Sequence, residues 1–227
     1  MERVVSKQLA FRHFHAHRLT LPALFFAAIS SNAAFAAIAP GDLTITEVMA
    51  NPASVSDTRG EWFEIYNSSS MALDLEGLSL RDEGSNQHTI AGPLIIGAGN
   101  YLVLGRNADS SVNGGYSADY QYSNFTLSNS SDQIILEFGG VVIDRVSYND
   151  SSIFGIAGVS AELTSNGFAP TPDTFAYGDG DIGTPGSAGS DPAVVEANPS
   201  PVPLPGSGWL MASGLCGLFT ARRRQRS

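Results

Sequence analysis

Beyond residue 36 the chain holds one histidine, His88, and its one cysteine is Cys216 near the C-terminal end. Histidine is the side chain that most readily moves a proton near neutral pH, so a serine hydrolase in this chain would have to be built on His88. No serine is framed as G-x-S-x-G, and H-E-x-x-H, P-loop and Cys–His patterns are absent. Carboxylates are more plentiful. Glu61 and Glu64 lie three apart, and Asp82 and Glu83 are adjacent. Positions three apart on a strand face opposite sides, so Glu61 and Glu64 do not make the facing acid pair that hydrolyses glycosidic bonds. Solvated strand edges and turn caps are the expected settings. Asp179 and Asp181, either side of Gly180, offer two hard oxygen ligands of the kind calcium takes, with Asp173 or Asp191 as further donors. The full D-x-D-x-D-G loop is missing, and a plain turn is the alternative. From the residues alone the expectation is a protein that is not an enzyme and needs no cofactor, with calcium at Asp179 and Asp181 as the candidate metal.

Charge narrows the partners. The formal net charge is −10, but eight of the twelve Lys and Arg residues lie in the two ends. Four arginines (Arg59, Arg81, Arg106 and Arg145) face twenty-one acidic residues in the body, a formal charge of −17. Nucleic-acid binding rests on Lys and Arg neutralising phosphates, so such a body is expected to bind no nucleic acid. With no cysteine in the body, neither a disulfide framework nor a thiolate metal site is available.

The elements that would position these residues are strands. Leu43 to Met49 is a strand ending at the turn Asn51-Pro52. Glu61 to Asn67 is another, with Phe63 and Ile65 on one face and Trp62 and Glu64 on the other. Leu73-Asp74-Leu75, Leu78-Ser79-Leu80, His88-Thr89-Ile90 and Tyr101 to Gly105 follow, separated by turn clusters. A Gly/Ser/Tyr-rich loop spans residues 110–123; its Tyr116, Tyr120 and Tyr122 are the candidate aromatic platform for a carbohydrate. Gly139-Gly140 marks a hairpin into a closing strand, Val141 to Tyr148. From residue 149 to 189 the chain is glycine-rich and looser, with Ser160 to Leu163 expected as one more edge strand. Alternation nominates Ile45, Phe63, Ile65, Leu78, Leu80, Leu102, Leu104, Ile135 and Val142 for the core.

Three pieces in this order, Ile45-x-Glu47-Val48-x-x-Asn51-Pro52, Glu61-Trp62-x-Glu64-Ile65-Tyr66-Asn67 and Asp74-Leu75-x-Gly77-x-x-Leu80-x-Asp82, resemble the lamin-tail domain. Gly99-x-Tyr101-Leu102-Val103-Leu104 and Leu127-x-Asn129-x-Ser131-Asp132-x-Ile134-x-Leu136 continue the resemblance, with Ser131 where glycine is usual. The resemblance implies an all-β, immunoglobulin-like β-sandwich over residues 40–189. It implies no activity, because fold alone does not transfer function.

The two ends carry separate signals. Residues 1–36 have a basic start (Arg3, Lys7, Arg12, Arg18), an apolar run from Leu19 to Ile29, and the small-x-small site Ala34-Phe35-Ala36. This is the layout of a signal peptide cut by signal peptidase after Ala36; a retained anchor is the alternative. Residues 190–201 read as a proline-containing linker. Residues 202–227 carry Val202-Pro203-Leu204-Pro205, an apolar stretch over 206–221, and Arg222-Arg223-Arg224. The stretch reaches about 24 Å as a helix, short of a hydrocarbon core of about 30 Å, and the arginines favour the cytoplasmic side. Motif, short helix and basic cluster resemble the PEP-CTERM sorting signal in its V-P-L-P form; an ordinary anchor is the alternative. That resemblance implies an exosortase-type processing enzyme, an inner-membrane intermediate, delivery to the cell surface or extracellular matrix, and a Gram-negative, exopolysaccharide-producing host. The expected role is an exported binding or structural module for exopolysaccharide or surface proteins. The alternatives are a carbohydrate- or calcium-dependent adhesion module and a secreted hydrolase using His88.

Overall fold

The computed structural model describes residues 37–191. The chain runs through β1 (Leu43–Met49), a one-turn helix α1 (Asp57–Gly60), β2 (Trp62–Asn67), β3 (Leu73–Asp74), β4 (Ser79–Arg81) and β5 (Gln87–Thr89). There follow β6 (Ile95–Ile96), β7 (Tyr101–Gly105), β8 (Tyr120–Gln121), β9 (Asp132–Phe138) and β10 (Val141–Tyr148). The last four are β11 (Ala161–Thr164), β12 (Gly167–Pro170), β13 (Ala176–Tyr177) and β14 (Asp181–Ile182).

Two sheets face each other across one core. The first has the order β12-β11-β1-β2-β7-β8 and the second β10-β9-β4-β5. Ile45 stands opposite Ile65, which stands opposite Leu102, and Val48, Phe63 and Leu104 repeat the row one step along. Their inward faces meet Leu80, Ile134, Leu136, Ile143 and Val146 from the second sheet. This is the two-layer solution that alternating apolar strands require, and the fold is all-β, as expected. Gly139 and Gly140 both take positive φ, 58° and 81°, and close the β9–β10 hairpin as the sequence predicts.

Two expectations are corrected. Val142 is 42% exposed, while Ile143 is buried in its place. The β9–β10 register slips between Val142 and Asp144, and the extra residue of this bulge turns Val142 outward and Ile143 inward. Ile135 is buried as expected, although outside the main cluster, with Arg81 and Arg145 as its register partners. The strand expected at the sheet edge, β11, is internal: β1 pairs with it on one side and β12 on the other. The region after residue 149 therefore supplies four of the strands, and its first hairpin extends the sheet beyond β1.

Among the described residues no helix is long and apolar enough to cross a membrane. The signal-peptide residues through Ala36 and the linker and tail from residue 192 onward lie outside the described residues, and with them Ala34, Val202 to Pro205 and Arg222 to Arg224.

Candidate functional site: a row of buried glutamates

The outer face of the larger sheet carries a second, smaller core and a polar row beside it. Met49, Trp62, Val103 and Tyr116 form the apolar part. Trp62 is fully buried and its indole N–H donates to the Tyr177 hydroxyl at 3.0 Å. Next to it Glu162, Glu47 and Glu64, from β11, β1 and β2, occupy directly opposite positions on three neighbouring strands. Each is about 1% exposed. A bulge makes this row. The β1–β2 register slips between Ile45 and Glu47, so Thr46 and Glu47 together oppose Glu64, and the Thr46 hydroxyl donates to Glu64 Oε1 at 2.7 Å.

Like charges directly opposite one another are unfavourable, and buried polar groups need partners. The chain meets both demands with a segment from its own C-terminal part. Thr184 donates its N–H to Glu47 Oε1 at 2.9 Å and its hydroxyl to Oε2 at 2.6 Å. The Ser160 hydroxyl adds a bond to Oε1 at 2.5 Å. Gly186 N–H donates to Glu64 Oε2 at 2.7 Å. Ser190 donates its N–H to Glu162 Oε2 at 2.9 Å and its hydroxyl to Oε1. Residues 183–190, Gly-Thr-Pro-Gly-Ser-Ala-Gly-Ser, thus lie across the row. Their glycines make the approach feasible. A Cβ on Gly183 would sit 2.9 Å from both Glu47 Oε1 and Ser160 Oγ, and one on Gly189 would sit 2.7 Å from Glu162 Oε2.

Burial disfavours the charged form of a carboxyl. It pushes Glu47 above the usual carboxylate range despite the bonds from Ser160 and Thr184. It pushes Glu64 up to about 8, with neighbouring Glu47 adding to the rise. Glu61 differs. It accepts from the Arg106 guanidinium at 3.1 Å and from Leu127 N–H at 3.2 Å, and burial pushes it up to about 7. Glu61 and Glu64 thus engage different partners, as their spacing predicts. Their expected solvated setting is overturned, since both are buried. Asp82 keeps its expected role, capping a turn by accepting from Gly84 N–H at 2.7 Å, while Glu83 pairs with Arg145.

The other residues singled out in the sequence take up separate positions. Asp181 is 4% exposed; Oδ1 accepts from the N–H groups of Ala53 and Ser54, and Oδ2 from the Ser54 hydroxyl at 2.8 Å. It ties β14 to the loop after β1. Asp179 is exposed at the tip of the same hairpin. Among the described residues no three His, Cys, Asp or Glu side chains gather as a metal site. His88 sits between Tyr120 and Ser123, with Nε2 2.9 Å from the Tyr120 hydroxyl and Nδ1 accepting from Ser123 N–H at 3.3 Å. Burial lowers its pKa. No carboxylate is among its hydrogen-bond partners, so the third member of a Ser-His-Asp arrangement is not in place. The tyrosine platform is overturned. Tyr116 and Tyr122 are buried, packing against Trp62 and against Phe63 and Phe125, and only Tyr120 keeps partial exposure.

The sequence reading did not single out Glu47 and Glu162. Glu47 had a signal, as the acidic residue in the first motif piece; Glu162 had none. Asn67, the last residue of the second piece, is fully buried. Its amide donates to the carbonyls of Met71, Ile96 and Gly97, and its carbonyl accepts from Ser69. Glu47, Glu61, Trp62, Glu64 and Asn67 each spend their polar atoms inside the molecule, so the recurrent residues build the fold and present no reactive group to a substrate. No curated protein matches the chain. A family model described as the lamin tail domain matches residues 36–150, and with half of its length matched in this way the chain belongs to the lamin tail domain family.

Proposed function

We propose that this chain is an exported, non-enzymatic lamin-tail module that loses both ends and is delivered to the cell surface or extracellular matrix. The observation that carries the reading is the order of segments. A basic and apolar start with a small-x-small site precedes the domain, and Val202-Pro203-Leu204-Pro205, an apolar stretch and Arg222-Arg223-Arg224 follow it. The domain between them is acidic, and its motif carboxylates serve its own backbone. Signal peptidase acts at Ala36, and an exosortase-type enzyme acts at the proline motif while the short apolar stretch holds the chain in the inner membrane. The mature surface would then meet exopolysaccharide or surface proteins, with calcium as the ion to include in a binding screen of that surface.

Mass spectrometry of the surface and medium fractions tests this. The expected mature chain begins at Ala37 and lacks peptides from Leu210 to Arg222. Intact tail peptides in those fractions would make the tail an ordinary anchor and end the sorting proposal. Replacing Pro203 and Pro205 with alanine removes the residues that break a helix at the motif, and the uncut form is expected to accumulate in the inner-membrane fraction.

A further inference from the structure

We infer that residues 183–190 form a proton-gated strap over the outer face of the larger sheet, shut while Glu47 and Glu64 of the Glu162–Glu47–Glu64 row hold their protons and opening as those two ionise. This goes beyond the proposed export and does not depend on it.

The first support is the setting of the row. Three carboxylates stand in direct register with no cation among them. Of the body's four arginines, Arg106 pairs with Glu61, Arg81 with Glu137 and Arg145 with Glu83. The fourth, Arg59, lies on α1, and no basic group is among the largest influences on Glu47 or Glu64. The titratable groups that face the row offer no relief either. Tyr177 of the β13–β14 hairpin lies near both Glu47 and Asp181, and Tyr101 of β7 lies near Glu64. Asp191, at the end of the strap, is held by Ser165 N–H. The remaining neighbours are the hydroxyls of Thr46, Ser160, Thr171, Thr184 and Ser190. Ionising one glutamate here places an uncompensated charge in a dry site, and ionising its neighbour adds repulsion.

The second support is what can move. The opposite side of these strands is the packed sandwich core. The strap is the removable cover. It holds no large apolar side chain, so lifting it forfeits little apolar burial, and its grip is a handful of hydrogen bonds to the row. Segments of this kind open at a fraction of the global unfolding free energy. Opening admits water to the carboxylates, so each proton released favours the open form tenfold per pH unit. The raised pKa values of Glu47 and Glu64 agree with this, and that of Glu64 spreads the change from its ordinary 4.5 to about 8.

Hydrogen exchange on the full-length protein between pH 5.5 and 9, corrected for intrinsic exchange rates, tests the strap. The amides of Thr184 and Gly186 are expected to lose protection by about tenfold per pH unit for one proton released. The amides of Ile65 and Leu102, which exchange only through global unfolding, should stay far better protected than the strap at every pH. Glu64→Gln keeps an acceptor for Gly186 N–H and removes one charge, so it should flatten the strap's pH slope. Leu127, which donates to Glu61, is the control for titration elsewhere. Strap protection that stays flat with pH would overturn the inference. So would strap and core amides of equal protection at every pH, which would mean global unfolding and no separate strap; the wild-type comparison decides this even if the variant fails to fold.

Discussion

Glu47 of β1 and Glu64 of β2 stand directly opposite each other on the outer face of the larger sheet, and both are tied to one segment far along the chain, 137 residues on for Glu47 and 122 for Glu64. The pair gives the two motif carboxylates a structural role. They are anchors for the C-terminal part of the fold.

Stability should fall as pH rises. Glu64 has a folded pKa raised from 4.5 to about 8, and Glu61 one raised to about 7. A group whose folded pKa lies above its unfolded value stabilises fully below the unfolded pKa. That stability is lost as pH climbs through the folded pKa. Denaturant unfolding should therefore give a lower midpoint at pH 9 than at pH 6, with the loss spread over roughly pH 4.5 to 8. Asp109 and Asp150, held low by Ser111 and Ser152, act in the opposite direction, and only at acid pH.

The bulge in β10 makes a contrasting pair of substitutions. Ile143→Ala empties a core position and should cost about 2–5 kcal/mol, whereas Val142→Ala, on the exposed side, should change stability by less than about 0.5 kcal/mol. Ile65→Ala should behave like Ile143→Ala. Equal effects at 142 and 143 in denaturant unfolding would place the bulge elsewhere.

Gly183→Ala should destabilise by about 1–3 kcal/mol, because the added methyl meets Glu47, Ser160 and Trp62 at or below about 3.1 Å. Trp62 fluorescence reports the event directly, since Gly183 lies beside the edge of the indole and Tyr177 accepts its N–H. Gly92→Ala, with open space around it but a positive φ, separates backbone strain from crowding.

Truncation at residue 150, the end of the family match, should not give a stable monomer. It removes β11 from the edge of β1 and uncovers Glu47, Glu64 and Trp62 together. An unpaired strand edge is a pairing template. Size-exclusion chromatography should show aggregation, while a chain ending at residue 191 should remain monodisperse.

The sandwich was legible where alternation is strict. β1, β2 and β7 and the Gly139-Gly140 hairpin follow from residue types, because their apolar faces and turn glycines have local signatures. The two bulges were not legible. A single extra residue has no residue type of its own, and at Thr46 it turned a motif glutamate toward the outer face. The 183–190 strap was read as loose chain because its glycines and small polar residues look like a string of turns. Its order comes from carboxylates on strands far away in sequence, and local composition does not record such contacts. The tyrosines failed as a platform for a related reason: a Gly/Ser-rich loop suggests exposure, yet Trp62 and Phe63 draw Tyr116 and Tyr122 inward.

The central structural claim is that the glutamate row is sealed by the chain's own C-terminal segment. Carboxyl carbon NMR across a pH titration of the full-length protein tests it most directly. The Glu64 carboxyl is expected to titrate near pH 8, well above exposed carboxylates such as Asp109. A Glu64 midpoint near its ordinary 4.5 would mean an open, hydrated carboxylate and would contradict the seal.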